Sequence, residues 1–324
     1  MLNETITAIK GIQVGHYTDL DNATGCSVIL CKNGAVGGVD VRGGSPGTRE
    51  TDVLRPMHRI DKVHSVVLSG GSAFGLDAAS GVVKHLESQN IGVAAGNSIV
   101  PIVSSAILFD LGVGSKEIRP DSNNGWQASE LATSSPVEQG TVGAGTGATV
   151  GKALGIQNSM KGGIGSAVLT LPSGITVASL IAVNSWGGVV DYRSNEVLAG
   201  PLSGVPQRIV DTLDILLEGV SNSPEEAGLN TTIGVIATDA SLTKEEVNFL
   251  AQVSHDGLAL AIRPCHTIRD GDTMFGMATC ERVDSVNMTA MGAAAVEVTA
   301  QAVVNAVNAA TGLAGILSVS DLAR

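Results

Sequence analysis

Short runs of β-branched and aliphatic residues alternate with glycine-containing turns along most of this chain of 324 residues. These runs have the length and residue types of strands, and they predict strands over residues 26–31, 37–41, 65–69, 166–171, 175–183, 231–237 and 273–279. Longer segments with apolar positions at helical spacing lie between them and predict helices over residues 73–89, 206–218, 244–260 and 285–310. The alternation favours a layered fold that contains both helices and strands.

The predicted strands 166–171 and 175–183 are apolar on both faces, which indicates that other layers cover each side of their sheet. The Pro-Ser-Gly sequence at 172–174 between them is typical of a hairpin turn. Thr243 and Glu246 have the spacing of a capping box at the start of the third predicted helix. We therefore expect an α/β or α+β sandwich built as a single domain over residues 1–324. A polar segment at 218–230 resembles a linker.

Composition argues against several kinds of partner. The formal net charge of −12 repels phosphate backbones and anionic lipid surfaces. Aromatic residues make up only 2% of the chain, which leaves little for stacking against unpaired bases. Two long uncharged stretches, 88–109 and 162–190, are interrupted by Asn97 and Pro101 and by the turn at 172–174, so neither is a good membrane span. We expect neither a nucleic-acid nor a membrane partner.

The cysteines and the first residues of the chain bear on its location. The 4 cysteines form no Cys-x-x-Cys pair, and we expect them to be reduced. Residues 1–15 lack the basic start and the apolar run of a signal peptide. A cytoplasmic location is expected.

Residues 143–148 match the loose dinucleotide-binding pattern G-x-G-x-x-G/A, and Gly151-Lys152 invites comparison with a phosphate-binding loop. No Asp or Glu occurs between residues 139 and 190, so the acid that would bind a ribose is missing. The phosphate-loop pattern also requires glycine where Thr146 stands and Ser or Thr where Ala153 stands. We predict a tight glycine-rich turn here and no nucleotide cofactor.

His266, Asp270 and Asp272 carry side chains that suit a divalent metal ion. The other five histidines form no ligand pair with them in the sequence, and Asp-Gly-Asp is common in loop turns. We therefore expect no metal and no other cofactor. The pattern alone leaves open whether the two carboxylates are catalytic.

Asn230 ends the polar segment, and Thr231 begins a strand of the buried type. An N-terminal nucleophile made by self-cleavage needs this arrangement. The Thr231 hydroxyl would attack the Asn230 carbonyl, and water would release a threonine whose free amine then serves as its own general base. Asn-Thr before a strand is also an ordinary turn, so the chemistry alone does not decide between the two interpretations.

Several multi-residue segments, in order along nearly the whole chain, resemble the DmpA-type aminopeptidases, a family that includes β-peptidyl aminopeptidases and the nylon-oligomer hydrolase. The resemblance rests on residues 14–19 (VGHYTD), 38–52 (GVDVRGGSPGTRETD), 68–77 (LSGGSAFGLD), 230–235 (NTTIGV) and 270–273 (DGDT). It implies a four-layer αββα sandwich of the N-terminal-nucleophile-hydrolase type. It also implies cleavage into an α-chain of residues 1–230 and a β-chain of residues 231–324, with Thr231 as the nucleophile.

The same resemblance assigns roles to further residues. Asn184 is expected to support the oxyanion, and Lys152 to lie beside the nucleophile; a strand-end turn and a solvated cation are the structural alternatives. Asp270 and Asp272 resemble the acidic pair of the nylon-oligomer hydrolase, which holds the nucleophile and its amine in place. The β-peptidyl enzymes have Ser-x-Glu at this point, so the chain is more similar to the former.

The chain departs from the family at Phe109, where several relatives have a tyrosine whose hydroxyl contacts the reaction centre. Phenylalanine cannot donate that hydrogen bond. Gly71 and Ser72, in the sequence Ser-Gly-Gly-Ser, are expected to let the backbone approach the substrate, or to form a strand-to-helix turn.

The resemblance implies a self-processing amidohydrolase that removes N-terminal residues from short peptides or amides and assembles as a tetramer of αβ units. Two alternatives remain at this point. An acyltransferase resembling the ornithine acetyltransferases would pass the acyl group to an amine instead of water, and a binding protein of the same fold would stay uncut and inactive.

Overall fold

The structure is a computed structural model that describes residues 3–219 and 230–322. The α-helices are α1 (Ala78–Ser88), α2 (Ser122–Glu130), α3 (Thr212–Leu217), α4 (Lys244–Ala261), α5 (Met288–Ala309) and α6 (Val319–Leu322). The strands are β1 (Gln13–Asp19), β2 (Thr24–Val41), β3 (Thr48–Arg49), β4 (Lys62–Ser69), β5 (Val93–Ala95), β6 (Ser98–Val100), β7 (Val103–Ile107), β8 (Thr149–Val150), β9 (Met160–Lys161), β10 (Gly163–Thr170), β11 (Thr176–Asn184), β12 (Gly188–Val190), β13 (Val197–Ala199), β14 (Leu202–Ser203), β15 (Arg208–Ile209), β16 (Thr231–Ala240), β17 (Ile262–Arg263) and β18 (Thr273–Arg282).

Nine strands form one hydrogen-bonded network in the order β10-β11-β16-β18-β2-β4-β7-β3, with β1 paired to β2. The long strand β2 joins two half-sheets. Its residues 24–30 pair with β1, and its residues 36–41 pair with β18. Its register with β4 shifts between Leu30 and Ala35. The two strands predicted at 26–31 and 37–41 are therefore parts of one strand.

Three buried clusters separate four layers. The first packs α4 and α5 against β10, β11, β16 and β18; the second lies between the two half-sheets; the third packs α1 and α2 against β1, β2, β4 and β7. Fully buried members are Val177, Met274 and Ala302 in the first cluster, Leu68, Leu180 and Phe275 in the second, and Val28, Val82 and Leu86 in the third. This confirms the αββα sandwich expected from the sequence.

Small residues let the helices approach the sheet closely. A side chain at Gly165 in β10 would bring its Cβ to 2.1–2.8 Å from backbone atoms of α5, with the Ala302 carbonyl oxygen at 2.1 Å. Only glycine fits there, because real Cβ atoms do not come so near backbone. Helix α5 is also long and apolar enough to cross a membrane, but 67% of its most apolar window is buried inside the protein, as in a core helix.

The predicted elements are confirmed where the pattern was strong. The hairpin of β10 and β11 closes with Thr170 opposite Thr176, and α4 begins with the predicted capping box of Thr243 and Glu246. The helix predicted at 206–218 is largely wrong, because residues 208–209 form β15 and α3 starts only after its N-cap, Asp211. The helix predicted at 73–89 begins as a 3₁₀ turn over Ser72–Asp77. Within the predicted linker, residues 220–229 lie outside the described residues.

Candidate active site

Three strand ends meet where Thr231 stands. β16 begins at Thr231 and runs parallel to β18, which begins at Thr273, so the segment that precedes β18 lies beside Thr231. β11 runs antiparallel to β16 and ends at Asn184, directly opposite Thr231. Thr231 is only 2% exposed. The topology therefore brings Asn184 and the Asp270-Gly271-Asp272 loop to the residue predicted as the nucleophile.

Two donors converge on the carbonyl oxygen that precedes Thr231. The Thr231 hydroxyl donates to the carbonyl oxygen of Asn230, its own peptide neighbour. The backbone N–H of Gly271 donates to the same oxygen at 3.2 Å. A carbonyl that accepts from two donors is polarised towards attack at its carbon. Sequence reasoning did not identify Gly271 as a donor.

The two carboxylates hold backbone around Thr231. Asp272 accepts from the N–H of Thr232 at 2.7 Å on one oxygen, and its other oxygen lies 2.7 Å from Nδ1 of His266. Asp270 accepts from the N–H of Trp186 at 3.1 Å, and its other oxygen accepts from the N–H and the hydroxyl of Thr267. Among the described residues, no hydrogen bond joins either carboxylate to the Thr231 hydroxyl. Asp272 thus holds the start of β16, and Asp270 holds the segment that follows β11.

A loop after β2 braces the acidic loop from the other side. The N–H of Arg42 and that of Gly43 donate to the backbone oxygen of Asp272, and the N–H of Ser45 donates to that of Asp270 at 2.8 Å. A Cβ on Gly271 would lie 2.6 Å from the Ser45 carbonyl oxygen and 2.8 Å from the Thr231 hydroxyl oxygen. The residue between the two acids therefore has to be glycine.

Lys152 orients Asn184. The Lys152 ammonium donates to the backbone oxygen of Asn184 at 2.9 Å and to its side-chain oxygen at 3.0 Å, and the N–H of Thr149 donates to that side-chain oxygen at 2.9 Å. The amide nitrogen of Asn184 is thereby turned towards the Phe109 carbonyl oxygen, 2.9 Å away. Its second hydrogen has no partner in the described part of the chain, so Asn184 retains one N–H to donate.

Burial changes the proton affinity of these groups. Burial, followed by the negative charge of Asp272, raises the pKa of Asp270 to about 6. Burial lowers the pKa of Lys152 from 10.5 to about 7, against the opposing effect of Asp270. Near-neutral pKa values at buried groups are a common feature of functional sites.

A second buried lysine explains the glycine-rich turn at 143–148. The Lys161 ammonium donates to the carbonyl oxygens of Thr146 and Ala148 at 2.6 and 2.8 Å. Phosphate-binding loops present N–H groups instead, so this turn has the opposite polarity. Lys152 and Lys161 are the only charged residues between 139 and 190, and that isolation in the sequence is the signal that could have identified Lys161.

Gly71 and Ser72 form the strand-to-helix turn after β4. Both have positive φ, 82° and 54°. The Gly71 N–H donates to the Asp110 carboxylate at 2.7 Å, next in sequence to Phe109. In the described residues no hydrogen bond joins this turn to Thr231, so substrate contact there remains a prediction.

The buried lysines predict how stability depends on pH. Burial lowers the pKa of both Lys152 and Lys161 to about 7, so above pH 7 the folded chain loses protons that the unfolded chain keeps. The unfolding free energy is therefore expected to rise with pH between 7 and 9, by about 1–2.5 kcal/mol per pH unit. Above about pH 10 the trend should reverse, because thiols of the unfolded chain then lose protons that the folded chain keeps. Burial raises the pKa of Cys26 to about 12 and that of Cys31 to about 11.

Urea unfolding of the Thr231→Ala chain, which lacks the predicted nucleophile, at several pH values measures this slope. In that background, Lys161→Met is expected to reduce the slope by about half, since only one of the two buried lysines then remains to release a proton on folding. Lys84→Met, at an exposed position on α1, serves as the control and should leave it unchanged. A slope that is flat or negative between pH 7 and 9 would show that the buried amines stay charged in the fold.

Comparison with known proteins defines the class first. A β-aminopeptidase from Burkholderia superposes with a TM-score of 0.67 at 22% identity over 96% of this chain and 87% of that one. The L-aminopeptidase D-Ala-esterase/amidase of Ochrobactrum anthropi, described as a variant of the Ntn hydrolase fold, superposes with a TM-score of 0.70 at 19% identity over 95% and 86%. At these identities the likeness shows the fold alone: that of the Ntn hydrolases.

Sequence comparison then gives the family. The model of peptidase family S58 matches residues 4–319. An uncharacterized aminopeptidase of Mycobacterium leprae is 42% identical over 96% of this chain and 92% of its own. A 6-aminohexanoate-oligomer endohydrolase of Paenarthrobacter ureafaciens is 32% identical over 91% and 84%. The chain belongs to peptidase family S58, among aminopeptidases and related amide hydrolases, which confirms the resemblance drawn from the sequence.

Proposed function

We propose that the chain is a self-processing N-terminal-threonine hydrolase that releases N-terminal residues from short peptides or amides. One observation carries the proposal: the Thr231 hydroxyl and the Gly271 N–H both point at the carbonyl oxygen of Asn230. The hydroxyl is thus within reach of the carbonyl that it has to attack, and a donor already faces the oxygen on which negative charge would develop.

Self-cleavage would proceed by an N-to-O acyl shift. The Thr231 oxygen adds to the Asn230 carbonyl carbon, the peptide C–N bond breaks, and the nitrogen of Thr231 takes up the hydroxyl proton. Water then hydrolyses the ester, which leaves a carboxylate on Asn230 and a free amine and hydroxyl on Thr231. The Gly271 N–H stabilises the tetrahedral oxyanion in the first step.

Substrate turnover would reuse the freed amine as a general base. It removes the Thr231 hydroxyl proton as the oxygen attacks the substrate carbonyl, and it returns a proton to the leaving amine. The free N–H of Asn184, held in place by Lys152, is suited to stabilise the oxyanion. Asp270 and Asp272 supply negative charge near the ammonium that forms on Thr231.

The mass of the purified chain under denaturing conditions tests the processing step, and product analysis tests the reaction. A hydrolase releases a free acid at a rate that does not depend on an added amine. An acyltransferase would need the amine acceptor for turnover and would form its acyl derivative. An uncut chain without activity would contradict both enzymatic functions.

Position 109 offers a test of the oxyanion site. Its backbone oxygen accepts from the side-chain amide of Asn184, which is the group proposed to stabilise the oxyanion, so the backbone of residue 109 lies beside that amide. Phe109→Tyr adds a hydroxyl that could donate to the negative charge of the oxyanion. We expect a several-fold increase in kcat with a smaller change in KM. Steady-state kinetics on a small amide measure this.

The control is Phe249→Tyr, at a 40% exposed position on α4, which should not change turnover. If the new hydroxyl finds no partner, Phe109→Tyr would lower stability by about 1–3 kcal/mol without a kinetic gain. Unchanged turnover with a lower melting temperature would mean that the oxyanion site is complete without position 109.

A further inference from the structure

Cys265, His266 and Asp272 bring a sulfur, a nitrogen and an oxygen together beside the proposed active site. Sγ of Cys265 lies 3.5 Å from Nδ1 of His266 and 3.7 Å from an oxygen of Asp272. The same nitrogen and oxygen are 2.7 Å apart. Among residues 3–219 and 230–322, this is the one group of three metal-ligating side chains whose ligand atoms lie close enough together to hold a metal ion.

The three distances suit a small divalent ion. A triangle with these sides has its centre about 2.0 Å from each corner, and Zn²⁺ binds nitrogen and oxygen at about 2.0–2.2 Å and thiolate sulfur at about 2.3 Å. An ion slightly above the plane of the three atoms would therefore reach all three at normal bond lengths. The ligand atoms need no large movement.

The donor set selects the kind of ion. A thiolate, an imidazole and a carboxylate together favour zinc over the harder ions calcium and magnesium, which prefer oxygen ligands. Cys265 and His266 are both partly accessible rather than fully buried, so an ion could enter from solvent and keep a water as its fourth ligand.

We propose that Cys265, His266 and Asp272 form a binding site for Zn²⁺ that inhibits the enzyme. Binding releases the thiol proton of Cys265 to solvent and forms bonds from the metal to sulfur, nitrogen and oxygen. Asp272 also accepts from the N–H of Thr232, so the ion would cancel the negative charge of Asp272 one residue from the nucleophile. Loss of that negative charge disfavours the ammonium which forms on Thr231 during turnover. The inhibitory effect rests on the proposed function, whereas the binding does not.

Titration with Co²⁺ tests the binding directly, because a thiolate bound to Co²⁺ gives a charge-transfer absorption in the near ultraviolet. The wild type is expected to develop this band with one equivalent of metal per chain. Cys265→Ser should abolish the band, whereas Cys280→Ser, at an exposed cysteine on β18, should retain it. His266→Asn should also weaken binding, and asparagine tolerates the positive φ of 55° at that position. The absence of a band, or a band unchanged in Cys265→Ser, would overturn the proposal.

Turnover with and without Zn²⁺ tests the inhibition. For each variant, the result is the ratio of its turnover rate with Zn²⁺ to its rate without it. Zn²⁺ is expected to lower wild-type turnover at least tenfold, and a chelator should restore it. Cys265→Ser should lose this sensitivity. Co²⁺ titration of the Thr231→Ala chain keeps the two proposals separate, since that variant should bind metal whether or not the chain is an enzyme. Metal binding without any loss of turnover would refute the inhibitory role.

Discussion

The Thr231→Ala chain is expected to remain a single species of 324 residues, whereas the wild type should separate into chains of 230 and 94 residues under denaturing conditions. Alanine removes the hydroxyl that contacts the Asn230 carbonyl and leaves the backbone of β16 unchanged. Without that oxygen, no acyl shift can begin, and the free amine never forms. Hydrolytic activity should therefore fall to background. Intact mass measurement and N-terminal sequencing check both halves of the prediction.

Thr232→Val is a closely matched control. Thr232 is also buried and lies next to Thr231, but its hydroxyl has no hydrogen-bond partner in the described residues. Valine has nearly the same shape, so this variant should still cleave between residues 230 and 231. Cleavage of the Thr231→Ala chain at the wild-type position, or a new terminus elsewhere in the wild type, would refute Thr231 as the nucleophile.

How far the fold could be predicted depended on how strongly the sequence pattern of each helix or strand differs from that of the segments beside it. The strands β10, β11, β16 and β18 were predicted because buried β-branched runs between glycine turns have few other interpretations. β7 was missed because serine interrupts its apolar pattern, although both Ser104 and Ser105 are fully buried. β2 was divided in two because Lys32, Asn33 and Gly34 suggest a turn. In the structure the strand continues through these residues with a change of register.

The site was predictable in its residue types and not in its contacts. The resemblance implied that Asp270 and Asp272 hold the nucleophile and its amine in place. In the structure Asp270 accepts from the N–H of Trp186, beyond the end of β11, and Asp272 accepts from the N–H of Thr232, on β16. Those contacts depend on which strands become neighbours, and a local pattern carries no information on strand order. Gly271 illustrates the same limit, since it acts through its backbone and through the space that it leaves.

Asp270→Asn and Asp272→Asn are each expected to lower kcat by about 10²–10⁴, with much smaller effects on KM and on folding. Each carboxylate accepts hydrogen bonds on both oxygens, so an amide in its place turns an NH₂ group towards a donor. The substitution also removes the negative charge nearest to the ammonium of Thr231. Both effects act on the position and the proton affinity of the base rather than on substrate binding, so kcat should fall more than KM rises.

The measurement compares kcat, KM and melting temperature of the cleaved enzymes, with Asp256→Asn as the control. Asp256 lies on α4 with a side chain that is 64% exposed, so its substitution removes one charge outside the site and should leave kcat unchanged. Self-cleavage should also slow in the two site variants. The Asp272 side chain holds the N–H of Thr232, and the Asp270 side chain, through the N–H of Thr267, holds the loop whose backbone pairs with Asn230. Wild-type kcat in both variants, together with normal melting, would mean that this loop only supports the fold. A loss of kcat in Asp272→Asn alone would locate the electrostatic contribution at the carboxylate that contacts β16, because Asp270 contacts the segment after β11 instead.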